Sequence, residues 1–85
     1  MTQVFHNDNG KDYNILAVVN FSEKDMKEYE GSWQKHYAML LQSQSNGEYV
    51  VATYVGENSW GYGYYADGFK NAFDKFTEKA KSYLS

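Results

Sequence analysis

The sequence predicts an α+β protein: an antiparallel β-sheet with a C-terminal amphipathic helix on one face. Three observations carry this. Apolar residues recur at helical spacing from Phe69 to Leu84. Two turn signals, Asn46-Gly47 and Gly56-Glu57-Asn58-Ser59, separate three runs rich in β-branched and aromatic residues. An N-terminal run, Asp12–Asn20 (DYNILAVVN), has an apolar middle of strand length. Helix-period and strand-period patterns thus occupy separate parts of one short chain.

The helix is the densest apolar element. Phe69, Ala72, Phe73, Phe76, Ala80, Tyr83 and Leu84 lie on one face at 3.6 residues per turn. Lys70, Asn71, Asp74, Lys75, Glu78, Lys79 and Lys81 fill the other. Asp67 is the expected N-cap, because its carboxylate can accept from free amides of the first turn. Lys79 and Lys81 complement the helix dipole.

Asn46-Gly47 suits a two-residue type I′ turn, whose central residues both need positive φ. It predicts a hairpin of His36–Ser45 with Glu48–Val55, pairing Leu41 with Ala52 and Met39 with Tyr54. The face holding Met39, Leu41, Val50, Ala52 and Tyr54 is assigned to the helix. The second turn pairs Val55 with Trp60. Gly61 and Gly63 then fall on the helix-covered face, and Trp60, Tyr62 and Tyr64 on the opposite one, beside Leu40, Val51 and Val55. Residues 32–44 have a competing reading. Met26, Tyr29, Trp33, Tyr37, Leu40 and Leu41 also fit helical spacing, so one helix from Ser22 to Gln44 competes with the strand. Gly31, Ser32 and the hairpin signal favour the strand.

The N-terminal third adds a short strand at Thr2–His6, a turn at Asn7–Gly10 and the strand Asp12–Asn20. A short helix is expected near residues 22–30, capped by Ser22 and stopped by Gly31. The whole is a three-strand meander plus an N-terminal strand or hairpin, in one domain spanning 1–85.

Composition narrows function. The 85 residues carry a net charge of −3, 42% hydrophobic and 19% aromatic residues, and no cysteine. A folded domain without disulfides or thiolate metal sites follows, and a cytoplasmic location is expected. No signal-peptide pattern and no membrane-length apolar run is visible. All eight cationic side chains are lysine. Without arginine's bidentate fork, sequence-specific nucleic-acid binding is disfavoured. His6 and His36 lack partner ligands at metal-binding spacing. No nucleophile elbow or phosphate loop is present, since Gly61-Tyr-Gly63 lacks the Walker spacing. No catalytic residue, cofactor or metal is assigned.

Two candidate partner-binding groups remain. Trp60, Tyr62 and Tyr64 form an aromatic row suited to an interface, to sugar or base stacking, or to a second core layer. Asp25, Glu28 and Glu30, within an acidic run, could face a basic groove; a solvated helix face is the simpler reading.

The order helix, three-strand meander, helix resembles the double-stranded RNA-binding domain in outline. That family grips phosphate with lysines where its last helix begins. Here Asp67-Gly-Phe-Lys70-Asn-Ala-Phe-Asp74 sets one lysine between two acids, so the RNA function is not expected. Tyr49-Val-Val-Ala52, Ser59-Trp-Gly-Tyr-Gly-Tyr-Tyr65, Ala72 and Phe76 resemble small accessory proteins of phages and mobile elements of low-GC Gram-positive bacteria, over about Tyr37–Leu84. Some such proteins are anti-CRISPR or other anti-defence inhibitors. The resemblance implies a stoichiometric role in a bacterial host cell: binding a host defence protein such as a CRISPR-Cas nuclease, without chemistry. A ligand-binding module for carbohydrate or single-stranded nucleic acid is the alternative, and a homo-oligomeric structural protein, a homodimer among the options, that buries the aromatic face against its own copy is a third reading.

Overall fold

The computed structural model describes residues 3–22 and 34–84. Among these residues five strands and one helix follow in order: β1 (Val4–His6), β2 (Asp12–Asn20), β3 (His36–Ser43), β4 (Tyr49–Val55), β5 (Trp60–Ala66) and α1 (Phe69–Leu84). The strands form one open antiparallel sheet in sequential order, with β1 and β5 at its edges. Residues 36–43 are therefore strand. The expected helix near 22–30, beyond Ser22, lies outside the described residues, as do Asp25, Glu28 and Glu30.

The hairpin turns explain the registers. Asn7–Gly10 closes β1 on β2 through Asn7 N to Lys11 O and Gly10 N to Asn7 O, with Gly10 at φ 87°. The Asn46-Gly47 turn differs from expectation. Only Gly47 takes positive φ, at 74°; Asn46 does not, and its side chain instead accepts from Glu48 N at 2.9 Å. This wider loop pairs Leu41 with Val50 and Met39 with Ala52, two residues from the expected register. A slip of two preserves which residues share a face, because side chains alternate with period two. The β4–β5 register is as expected, with Val55 opposite Trp60.

Irregularities then decide the faces. Leu16 is an extra residue between Ile15↔Leu41 and Ala17↔Leu40, and Tyr37 one between Ala38 and His36. Each bulge exchanges the faces of the residues beyond it. Tyr54 sits at φ 55°, a left-handed conformation unusual for an aromatic residue, in mid-strand opposite Gly61. Beyond it β4 and β5 also exchange faces.

The sheet has two apolar layers. One comprises Met39, Leu41, Val50, Ala52 and Val55 with Phe5 and Tyr13. The other comprises Ala38, Leu40, Val51 and Ala66 with Ala72 and Phe76 of α1. The helix therefore packs on the Leu40–Val51 side. The expected helix face was the reverse, and of its members only Tyr54 lies among the rings on the helix side. The reason is packing. Ala38, Ala66 and Ala72 let the helix approach closely. The bulkier residues fill the inside of a curl in which the edge strands bend together: Phe5 and Trp60 rings lie 5.7 Å apart, and Asp8 N donates to Asn58 O at 2.8 Å. Leu40, Leu41, Val50, Val51 and Val55 are essentially fully buried. Each contributes roughly 1.5–3 kcal/mol by leaving water.

The helix also begins differently from expectation. Gly68, at φ 95°, accepts the first helical bond from Ala72 N at 3.2 Å. Asp67 contributes its backbone carbonyl to Asn71 Nδ2 (3.2 Å), so Gly68 occupies the cap position. Of the expected stripe, Ala72 and Phe76 are buried, whereas Phe69, Phe73 and Leu84 are exposed.

Candidate functional site

The aromatic row divides. Trp60 turns into the curl, edge-on to Tyr13 (5.4 Å) and beside Phe5. Its indole lies across Gly63: a Cβ there would fall 2.7 Å from Nε1. Gly63 thus opens the side away from α1, and not the helix-covered side. Trp60 is a half-buried core residue here. Tyr62 and Tyr64 stand on the helix side of β5, opposite Thr53 and Val51, and both are exposed, Tyr62 at 71%. The row expected on one face is split because β5 exchanges faces at Gly61.

Beside these two tyrosines lies a cleft of about 370 Å³ between β4–β5 and α1. Tyr37, Tyr54, Tyr62 and Tyr64 line it with Val51, Thr53 and Gly63, and Lys75 and Lys79 close it from the helix. The lysines share a helix face at a spacing of four. Lys75 Nζ sits 4.9 Å above the Tyr64 ring centre and 3.4 Å from Glu78 Oε2. Lys79 makes no ion pair among the described residues. The cleft therefore offers phenol faces, hydroxyls and, at Lys79, a cation with no ion pair among the described residues. Such a surface recognises flat or anionic groups.

One wall of the cleft is braced by rings. Tyr37 stacks on Tyr83 at 4.2 Å, and Phe21 meets Tyr37 and Tyr83 edge-on at 5.9 Å. The Tyr83 hydroxyl accepts from Ser22 N at 2.7 Å, tying the end of α1 to the end of β2. Burial raises the Tyr37 phenol above its ordinary value, helped by Tyr54 and Tyr83. The Tyr37 hydroxyl therefore stays protonated at neutral pH, as donor and acceptor. At the rim of the sheet His36 Nδ1 meets Asn20 Oδ1 at 2.6 Å. Burial, and then Lys35, lower the His36 imidazole from its ordinary value.

Sequence reasoning singled out Tyr62 and Tyr64 but missed Tyr37, Tyr54, Lys75 and Lys79. The four-residue spacing of the lysines was visible. Their convergence with four tyrosines needs the helix to lie on this face. Among the described residues no group of three or more histidines or acids is placed to hold a metal. No helix among them is long and apolar enough to cross a membrane. Comparison with protein-family models, with curated proteins and with solved structures finds no match.

Proposed function

We propose that this protein is a non-enzymatic, protein-binding inhibitor acting in the bacterial cytoplasm. Its partner is a host defence protein, such as a CRISPR-Cas nuclease, as the resemblance in its sequence implies. The observation that carries the binding role is the run Gly61–Tyr65, five consecutive exposed residues, three of them tyrosine, beside a preformed cleft. Tyrosine supplies large contact area at little entropic cost, and is enriched where partners bind tightly. Trp60 is excluded from the docking surface because it holds the core, so Tyr62 and Tyr64 are the anchors. The lysines at the cleft suit an acidic or hydrogen-bonding element of the partner.

The test is phage plating on a host with an active CRISPR-Cas system. Expression of the protein restores plaques. The double variant Tyr62→Ala/Tyr64→Ala does not, while its circular-dichroism melting stays near wild type. Equal restoration by the double variant would remove these residues from the interface. Absence of restoration and of nuclease co-purification, across the nuclease types tried, would overturn the partner class.

The cleft supports a second reading, a module for carbohydrate or single-stranded nucleic acid, because stacked phenols and a lysine fit both ligands. Titration with oligosaccharides and with oligothymidylate, read by tyrosine fluorescence, separates it from protein docking.

A further inference from the structure

Among the described residues the outer edge of β5 is open for strand addition. Among them β5 pairs only with β4, and Gly61–Tyr65 are all exposed. Exposed sheet edges in monomers are blunted by charge, proline or short length. β5 is seven residues long and reads WGYGYYA, with no charged residue and no proline.

The hydrogen-bond direction along this edge follows from neighbouring strands. Gln44 N donates to Asp12 O at 3.0 Å, so Gln44 faces β2; its neighbour Ser43 faces β4, donating to Glu48 O at 2.8 Å. Alternation along antiparallel strands then turns Leu41 and Val50 to each other, and Val51 towards Tyr64. Tyr64 is bonded inward. The amides and carbonyls of Gly63 and Tyr65 point outward, with no strand across from them among the described residues.

We propose that two copies of the chain pair through β5, antiparallel, about a twofold axis at Gly63. A second copy is the occupant because the edge is self-complementary in this register. Gly63 meets Gly63 and the backbones bond reciprocally. Tyr65 meets Gly61. Tyr62 meets Tyr64 twice, giving two cross-strand aromatic pairs on the helix side. A register moved by two would set Tyr65 against Gly63 and leave a Tyr64–Tyr64 pair on the axis, with one aromatic pair fewer. The dimer makes a ten-stranded sheet and sets the two clefts side by side, each Tyr62 flanked by the partner subunit's Tyr64. The pairing does not depend on the partner proposed above.

The chain has no cysteine, so introduced thiols report on a clean background. Tyr62 and Tyr64 face each other in a non-hydrogen-bonded pair, whose Cα separation of roughly 4.5 Å lies within disulfide reach. Tyr62→Cys and Tyr64→Cys proteins, mixed under mild oxidant, should cross-link to each other at least several-fold more than either does alone. The unmodified protein should sediment at twice its 9.8 kDa chain mass. Tyr65→Lys, which leaves Tyr62 and Tyr64 in place, should sediment at the single-chain mass with an unchanged circular-dichroism spectrum. A single-chain mass for the unmodified protein at every concentration tried would overturn the pairing, whatever the phage assay reads. Preferred cross-linking of Tyr64→Cys with itself would overturn the register.

Discussion

Replacing Gly63 with alanine tests the curl of the sheet directly. The added Cβ would lie 2.7 Å from Trp60 Nε1 and 3.4 Å from Cε2. To restore ordinary contact the indole must withdraw by about 0.7 Å. It cannot do so freely, because its ring is held by Phe5 and Tyr13. Each ring pair is worth about 0.5–1.5 kcal/mol, and overpacking costs about 1–3 kcal/mol. Against this, alanine in place of glycine recovers about 0.5–1 kcal/mol of backbone entropy. The expected net loss is about 1–2 kcal/mol. In a chain of this size that lowers Tm by roughly 5–15 °C. Gly61→Ala is the matched control. Its Cβ would meet Tyr54 Cβ at 3.3 Å, a contact that a few tenths of an ångström relieve. Its expected effect is within about 0.5 kcal/mol. Both are measured by urea unfolding at one fixed protein concentration, in a Trp33→Phe background so that emission reports Trp60 alone. An unchanged midpoint and emission maximum for Gly63→Ala would refute the indole's placement across Gly63, and with it the face assignment of β5.

Leu41→Ala, at a fully buried position of the curled layer, should cost about 2–5 kcal/mol, read by the same urea curves. Tyr54→Asn keeps a residue tolerant of left-handed φ but removes ring contacts to Phe21, Tyr37 and Tyr62; the net loss should be about 1–3 kcal/mol, and a gain would show that backbone strain outweighs the rings. The folded state holds His36 below its ordinary value, so on acidification the unfolded chain takes the proton first. The His36 contribution is intact above the ordinary imidazole value and is lost as pH falls through the folded-state value; His36→Gln should flatten the stability–pH curve there, measured by thermal melts from pH 8 to 5. An ultraviolet alkaline titration should show a step above the ordinary phenol value from Tyr37, and Tyr37→Phe should remove that late step.

Local elements were legible because their signals are local. The bounds of β2, Asp12–Asn20, follow from a β-branched run between turn residues, and the helix from Phe69 follows from apolar spacing. The Val55↔Trp60 register follows from a four-residue turn. The Asn46-Gly47 hairpin was placed two residues off because the asparagine side chain caps Glu48 N instead of accompanying a left-handed backbone. That choice depends on competing hydrogen bonds, which dipeptide preference does not encode.

The candidate site was half legible. Tyr62 and Tyr64 were singled out because an uncharged aromatic run is unusual on a wet surface. Trp60 was grouped with them by strict alternation, and alternation fails where Tyr54 and Gly61 exchange the faces of β4 and β5. Lys75 and Lys79 read as an ordinary charged helix face until α1 lies beside β5.

By itself the sequence determined, among the described residues, the kinds and order of the elements and the antiparallel meander, since these follow from periods of two and 3.6 and from turn chemistry. Which apolar layer receives the helix was decided only by the tertiary structure. Both layers of the sheet are apolar, so hydrophobicity is nearly degenerate between them. The choice falls to side-chain volume and curvature: alanines admit the helix on one side, and larger residues fill the curl on the other.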